Sequence, residues 1–163
     1  MTKRSPNWIL LIASIIVVEL VGSLSGILSG DIKAIYNNLA LPPLAPPDFI
    51  FGIVWPILYL MIGIVGYLIL RDRTNARQNN LILFISQLVL NFIWSIIFFG
   101  ASNRWISFLI IIILDALVIW CVKKFWQTSK LAASLMVPYL IWILFATYLT
   151  LGTAIFLNIN KKR

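Results

Sequence analysis

The chain has 163 residues, of which 61% are hydrophobic and only 11% charged, and it carries a formal net charge of +8. So few charges cannot cover a soluble surface, so lipid is expected around a single domain spanning residues 1–163. Its 13 Lys and Arg sit in short clusters rather than along one helix face, which argues against nucleic-acid binding; no His and one Cys exclude a His-ligated metal, a Ser-His-Asp triad and an internal disulfide, so no metal and no required cofactor is expected.

A membrane-crossing helix needs about 20 apolar residues. Five runs meet that length, at about 8–29, 49–70, 81–101, 105–122 and 131–157. Lipid leaves backbone polar groups no partner outside the segment, so the expected fold is all-α, an integral membrane bundle of five transmembrane helices.

The first run contains Glu19 and the match Gly22-Ser-Leu-Ser-Gly26. Such small-residue spacing lets helices approach closely and is a cue for a homodimer. Ser23-Leu24-Ser25 also fits a signal-peptide cleavage cue, but Glu19 and the continued length favour an uncleaved helix. The segment 30–48 follows, ending in Pro42-Pro43-Leu44-Ala45-Pro46-Pro47. Its prolines stiffen it, and it reads either as a lid over the bundle or as a plain connector.

In the second run Phe51, Trp55 and Tyr59 recur at i, i+4 and i+8, beside Pro56. The third run has Gln87, Asn91, Trp94 and Phe98 at i, i+4, i+7 and i+11, one stripe of amides and rings. Amides in lipid need partners, so this face is expected to point inward. Amides serve as helix–helix glue, or, beside flat rings, suit a ligand with an apolar body and one polar edge. The fourth run carries Asp115, which costs on the order of 3 kcal/mol to insert, and Cys121, read as a packing residue. Glu19 and Asp115 each read as functional or as inter-helix hydrogen bonds. The fifth run has Pro138 and then Trp142, Ala146 and Leu149, with small Ala146 leaving room beside Trp142. Trp8, Trp105 and Trp126 fall near run ends and fit an interfacial belt, whereas Trp55, Trp94, Trp120 and Trp142 fall deeper.

Lys and Arg on alternate sides set the expected orientation. One side has eight (Lys3, Arg4, Arg71, Arg73, Arg77, Lys123, Lys124, Lys130) and the other five (Lys33, Arg104, Lys161, Lys162, Arg163). The majority side is expected to be cytoplasmic, which puts the N-terminus inside. No internal repeat supports an inverted-repeat transporter.

Three stretches, in order, resemble the TspO/MBR family (tryptophan-rich sensory protein, or translocator protein). They are Pro46-Pro47-Asp-Phe-Ile-Phe-Gly-Ile-Val-Trp55-Pro-Ile-Leu-Tyr59, Gln87-Leu-Val-Leu-Asn91-Phe-Ile-Trp94 with Phe98-Phe99, and Pro138-Tyr-Leu-Ile-Trp142-Ile-Leu-Phe-Ala146-Thr147. The resemblance covers nearly the whole chain. It implies a five-helix bundle, often dimeric, in a bacterial cell membrane, with a pocket for porphyrins and other flat apolar molecules. By motif position that pocket falls on Tyr36, Pro46, Trp55, Tyr59, Asn91, Trp94, Asp115, Trp142 and Ala146; the aromatic spacing adds Phe51. The chain departs from the family at Leu44, where a Trp is usual, at Gly52-Ile-Val-Trp55, and at Leu149-Thr150-Leu151, which lacks the Tyr of the family's sterol motif.

The leading expectation is a membrane receptor that binds and senses porphyrins. A second, also implied by the resemblance, is light-dependent porphyrin degradation with Trp55 and Trp142 as electron-rich participants. A third is transport of tetrapyrroles or sterols along a path marked by Glu19 and Asp115.

Overall fold

The structure is a computed structural model that describes residues 5–161, with side chains as far as Leu157. Lys3, Arg4, Lys162 and Arg163, and the side chain of Lys161, which entered the charge count, lie outside the described residues. Six α-helices follow one another: α1 Trp8–Leu28, α2 Ile32–Asn37, α3 Phe49–Arg71, α4 Arg77–Ser95, α5 Arg104–Thr128 and α6 Lys130–Lys161. A π-helical turn, Ile96–Gly100, continues α4. Every helix but α2 is long and apolar enough to cross a membrane.

Short polar side chains set the helix starts. The Oδ1 atoms of Asn7, Asp31 and Asn103 accept from the backbone N–H three residues on, at 3.1, 3.0 and 3.2 Å, which satisfies donors that a helix start leaves unpaired. Gly30, at φ +86°, stops α1 in the left-handed conformation that glycine adopts without strain. Helix α4 begins four residues before the apolar run predicted at 81, and α5 continues to Thr128 rather than 122. Apolar counting stops at the first charge, whereas the helix continues while Lys and Arg reach the headgroups along their stems. Pro56 and Pro138 both lie inside unbroken helices.

In cross-section the helices form a ring in the order α1, α3, α6, α5, α4, with α4 closing back onto α1 and α3. Close approach of α1 to α3 depends on glycine. A Cβ on Gly22 would collide with the Tyr59 ring, and one on Gly63 would lie 2.6 Å from Cα of Ile15. The Gly22-x-x-x-Gly26 cue is thus used at Gly22 for packing within the chain. Ile12, Leu20, Ile53, Ile57, Ile85, Leu109 and Ile141 all face outward. An apolar surface of this extent belongs in lipid.

Trp120 differs from its expected deep position: it is 52% exposed, and the Lys124 ammonium lies 5.4 Å from its ring centroid. The extension of α5 explains this, because Trp120 sits one turn from a headgroup-seeking lysine and joins the interfacial belt. Cys121 is fully buried as a packing residue.

The segment 30–48 is neither fully extended nor free. It includes α2 and then folds over the end of the bundle where α3 starts and α6 finishes. The Tyr36 hydroxyl donates to the Pro46 carbonyl at 2.8 Å, and the Tyr148 hydroxyl donates to the Pro43 carbonyl. Pro42 is buried against Gly152, where a Cβ would lie 2.6 Å from the proline ring.

Candidate ligand-binding site

The inward stripe of α4 meets its neighbours as expected of amides in lipid, but only at one of its two amides. Asn91 Oδ1 accepts from Tyr59 of α3, and Asn91 Nδ2 donates to Tyr139 of α6 at 3.2 Å. This ties three helices through one residue. Gln87, one turn earlier and fully buried, makes no hydrogen bond among the described residues.

Around this node the aromatic side chains pack on one another. Trp55 stacks on Tyr59 at 5.3 Å between centroids and lies 6.4 Å from Trp94 and 6.5 Å, edge-on, from Trp142. Phe51 joins the cluster edge-on to Tyr36 at 4.8 Å and to Trp142 at 5.7 Å. Trp94 stacks on Phe98 at 5.4 Å. The π-turn, where Ala101 N–H reaches the Ile96 carbonyl at 2.9 Å, adds the residue that lets consecutive Phe98 and Phe99 both face inward. The Arg104 guanidinium lies 4.5 Å from the Phe98 centroid, almost wholly buried, and its Nη1 has no partner among the described residues. The indole N–H groups of Trp94 and Trp142 are buried and, among the described residues, also unpartnered.

Open space lies on one side of this cluster, not in its centre. A cavity of about 430 Å³ runs between α1 and α3 beneath α2. Tyr36, Phe51, Trp55 and Tyr59 form its inner wall, Glu19, Gly22, Ser23 and Gly26 its α1 wall, and Lys33 and Asp48 its mouth. Gly52 keeps the α3 side open, since an added Cβ there would meet nothing within 4 Å. The volume falls in the range of small-molecule sites, which are concave and mostly apolar with a few polar groups.

The mouth carries the site's charges. Asp48 accepts from the Asn37 amide at 3.0 Å and lies 3.8 Å from the Lys33 ammonium. The Asn37 hydrogen bond, with Lys33 adding to it, holds the Asp48 carboxyl below the usual carboxylate range. Burial, and then the negative charge of Asp48, push the Tyr36 phenol above its ordinary value.

The predicted site residues therefore divide. Tyr36, Phe51, Trp55 and Tyr59 line the cavity, and Pro46 supports it through its carbonyl bond from Tyr36. Asn91 stands behind Tyr59 and does not line the cavity. Trp94 and Ala146 border only a crevice of about 10 Å³ with Tyr36, Phe51 and Phe98, so Ala146 leaves little room. Trp142 packs edge-on behind Phe51 and Trp55. Asp115 faces α6 instead, its Oδ2 accepting from Thr147 at 2.6 Å while Oδ1 has no partner among the described residues. Sequence reasoning missed the α1 wall. The signal was present: Glu19, Gly22, Ser23 and Gly26 fall at i, i+3, i+4 and i+7, one helical face of small residues around a carboxyl.

The sequence profile of the TspO/MBR family matches residues 14–156. The chain is 37% identical over 144 residues to the tryptophan-rich protein TspO of Archaeoglobus fulgidus, covering 88% of this chain and 94% of that protein. It is 36% identical to a translocator protein homolog of Schizosaccharomyces pombe, covering 72% and 74% respectively. It is 32% identical to the translocator protein of Homo sapiens, covering 70% and 69%.

Proposed function

The chain belongs to the TspO/MBR family, and on that premise we propose that it is a membrane receptor and sensor for porphyrins and similarly flat, apolar molecules. The observation that carries this reading is the 430 Å³ cavity walled by Tyr36, Phe51, Trp55 and Tyr59. Four aromatic side chains on one wall offer large, rigid apolar area at small entropic cost. A tetrapyrrole presents a matching flat face. Its carboxylates would lie at the mouth, where Lys33 carries the positive charge. We also propose the N-terminal side as cytoplasmic, on the Lys and Arg count, in a bacterial cell membrane, and the homodimer as its working form.

The test is titration of the detergent-solubilised protein with protoporphyrin, followed by quenching of tryptophan fluorescence. Trp55→Ala is expected to weaken binding about tenfold, the worth of one good aromatic contact of roughly 1.4 kcal/mol. Unchanged affinity in that variant would remove the site from the proposal.

A second reading, light-driven porphyrin breakdown, draws on the closeness of Trp55, at the cavity wall, to Trp94 and Trp142. It requires that the porphyrin absorption band decay under illumination with this protein and persist with Trp55→Phe.

A further inference from the structure

Most of the polar groups that line the cavity are engaged within the protein. Ser25 donates to the Gly22 carbonyl at 2.8 Å, and Ser95 shares a 3.0 Å hydrogen bond with Ser29. Tyr36 donates to Pro46, Tyr59 donates to Asn91, and Lys33 pairs with Asp48. Glu19, Ser23 and the Trp55 indole are left. Among the described residues Glu19 makes no hydrogen bond and no ion pair, although it lines the cavity well inside the first span. It stands nine residues before the end of α1, roughly 14 Å along the axis from Leu28 and from the charged mouth beyond it.

A carboxyl placed there is costly in lipid, and it is the one strong acceptor lining the cavity that no donor among the described residues uses. In either protonation state it offers an acceptor oxygen. The small side chains of Gly22, Ser23 and Gly26 beside it clear the approach; a Cβ on Gly26 would come no nearer than 3.9 Å to Ile32. Exposed Leu20, Leu24, Ile53 and Ile57 flank the same two helices, so the cavity's long side faces lipid.

We infer that Glu19 is the specificity-determining residue of this cavity. It selects apolar ring systems that carry an N–H or O–H donor on the edge that enters deepest, and in its ionised form it repels ligands that present a carboxylate there. The inference rests on the cavity being a ligand site, as proposed above, and adds the polar rule by which it chooses. A ligand obeying the rule lies along α1 with its donor edge inward and any acidic edge toward Lys33.

Three fluorescent probes test it on the full chain in detergent: the isosteric pair 1-aminoanthracene and 1-methylanthracene, and anthracene-1-carboxylate. The amine is expected to bind roughly tenfold tighter than the methyl probe, as for a hydrogen bond to a carboxyl, and the carboxylate weakest. Glu19→Leu should bring amine and methyl probe to parity. Glu19→Gln, whose carbonyl still accepts, should keep part of the preference. Gly52→Leu, whose Cβ would enter open space at the cavity wall, should weaken all three. Equal affinity for amine and methyl probe in the wild-type protein, or a preference unchanged in Glu19→Leu, overturns the role of Glu19 and leaves the cavity as a ligand site. Failure of every probe to bind the wild-type protein overturns both.

Discussion

The Tyr59 hydroxyl donates to Oδ1 of Asn91 at 3.1 Å, and this bond joins the cavity wall to the centre of the bundle. Tyr59 faces open space on one side, while its hydroxyl is held from behind by an amide that also holds Tyr139. The wall's position therefore depends on a residue that no ligand in the cavity would touch.

Asn91→Leu is expected to lower stability by about 1–2 kcal/mol, since it removes two inter-helix hydrogen bonds and strands the Tyr139 hydroxyl, which is fully buried. Thermal unfolding in detergent measures this. Porphyrin affinity in the same variant should also fall, because Tyr59 loses its anchor and the stacked Trp55 moves with it.

Gln87→Leu should do the opposite. The Gln87 amide is buried without a hydrogen-bond partner among the described residues, so a side chain of similar volume and no polar atoms removes a desolvation cost. Unfolding should show stability equal to or higher than wild type. A loss comparable to that of Asn91→Leu would mean that Gln87 has a hydrogen-bond partner after all.

The turn over the bundle end carries a strained residue. Ala45 N–H bonds the Pro42 carbonyl at 3.3 Å, and Leu44, at φ +66°, holds the position where such a turn favours glycine. Leu44 is 87% exposed, so its side chain contributes little packing. Leu44→Gly should gain up to about 1 kcal/mol, and Leu44→Val, branched at Cβ, should lose at least as much. Paired melting curves separate the two.

Docking of the segment 30–48 onto α6 is testable at Gly152. Gly152→Ala would drive a methyl group into Pro42, and overpacking of this kind costs roughly 1–3 kcal/mol. Limited proteolysis should then cut within 38–47 sooner than in the wild-type protein, while the spans remain protected.

The same docking should depend on alkaline pH through Tyr36. Its phenol is raised by burial and by Asp48, so the folded state holds the proton more tightly than the unfolded chain. The stabilisation is therefore complete below the ordinary phenol value of about 10 and is lost as pH rises through the higher folded value. Proteolysis at 38–47 should accelerate over that range in the wild-type protein, and the acceleration should be much smaller in Tyr36→Phe.

Composition and hydrophobic run length determined by themselves that the chain is a five-span helical membrane bundle, because apolar runs of about 20 residues satisfy their own backbone polar groups in lipid as helices. Helical periodicity also determined that Gln87, Asn91, Trp94 and Phe98 share an inward face, since 3.6 residues per turn is a local property. Which buried group finds a partner is not local. Asn91 bonds Tyr59 and Tyr139 while Gln87 finds no hydrogen-bond partner among the described residues, and Asp115 turns to Thr147 rather than to the cavity. Those outcomes depend on the rotation and closeness of neighbouring helices. Only the tertiary structure decided where space remains, because Gly22 lets α1 and α3 close on Tyr59 while Gly26 and Gly52 leave a gap beside it. A gap is defined by what several helices fail to fill, and no single segment encodes that.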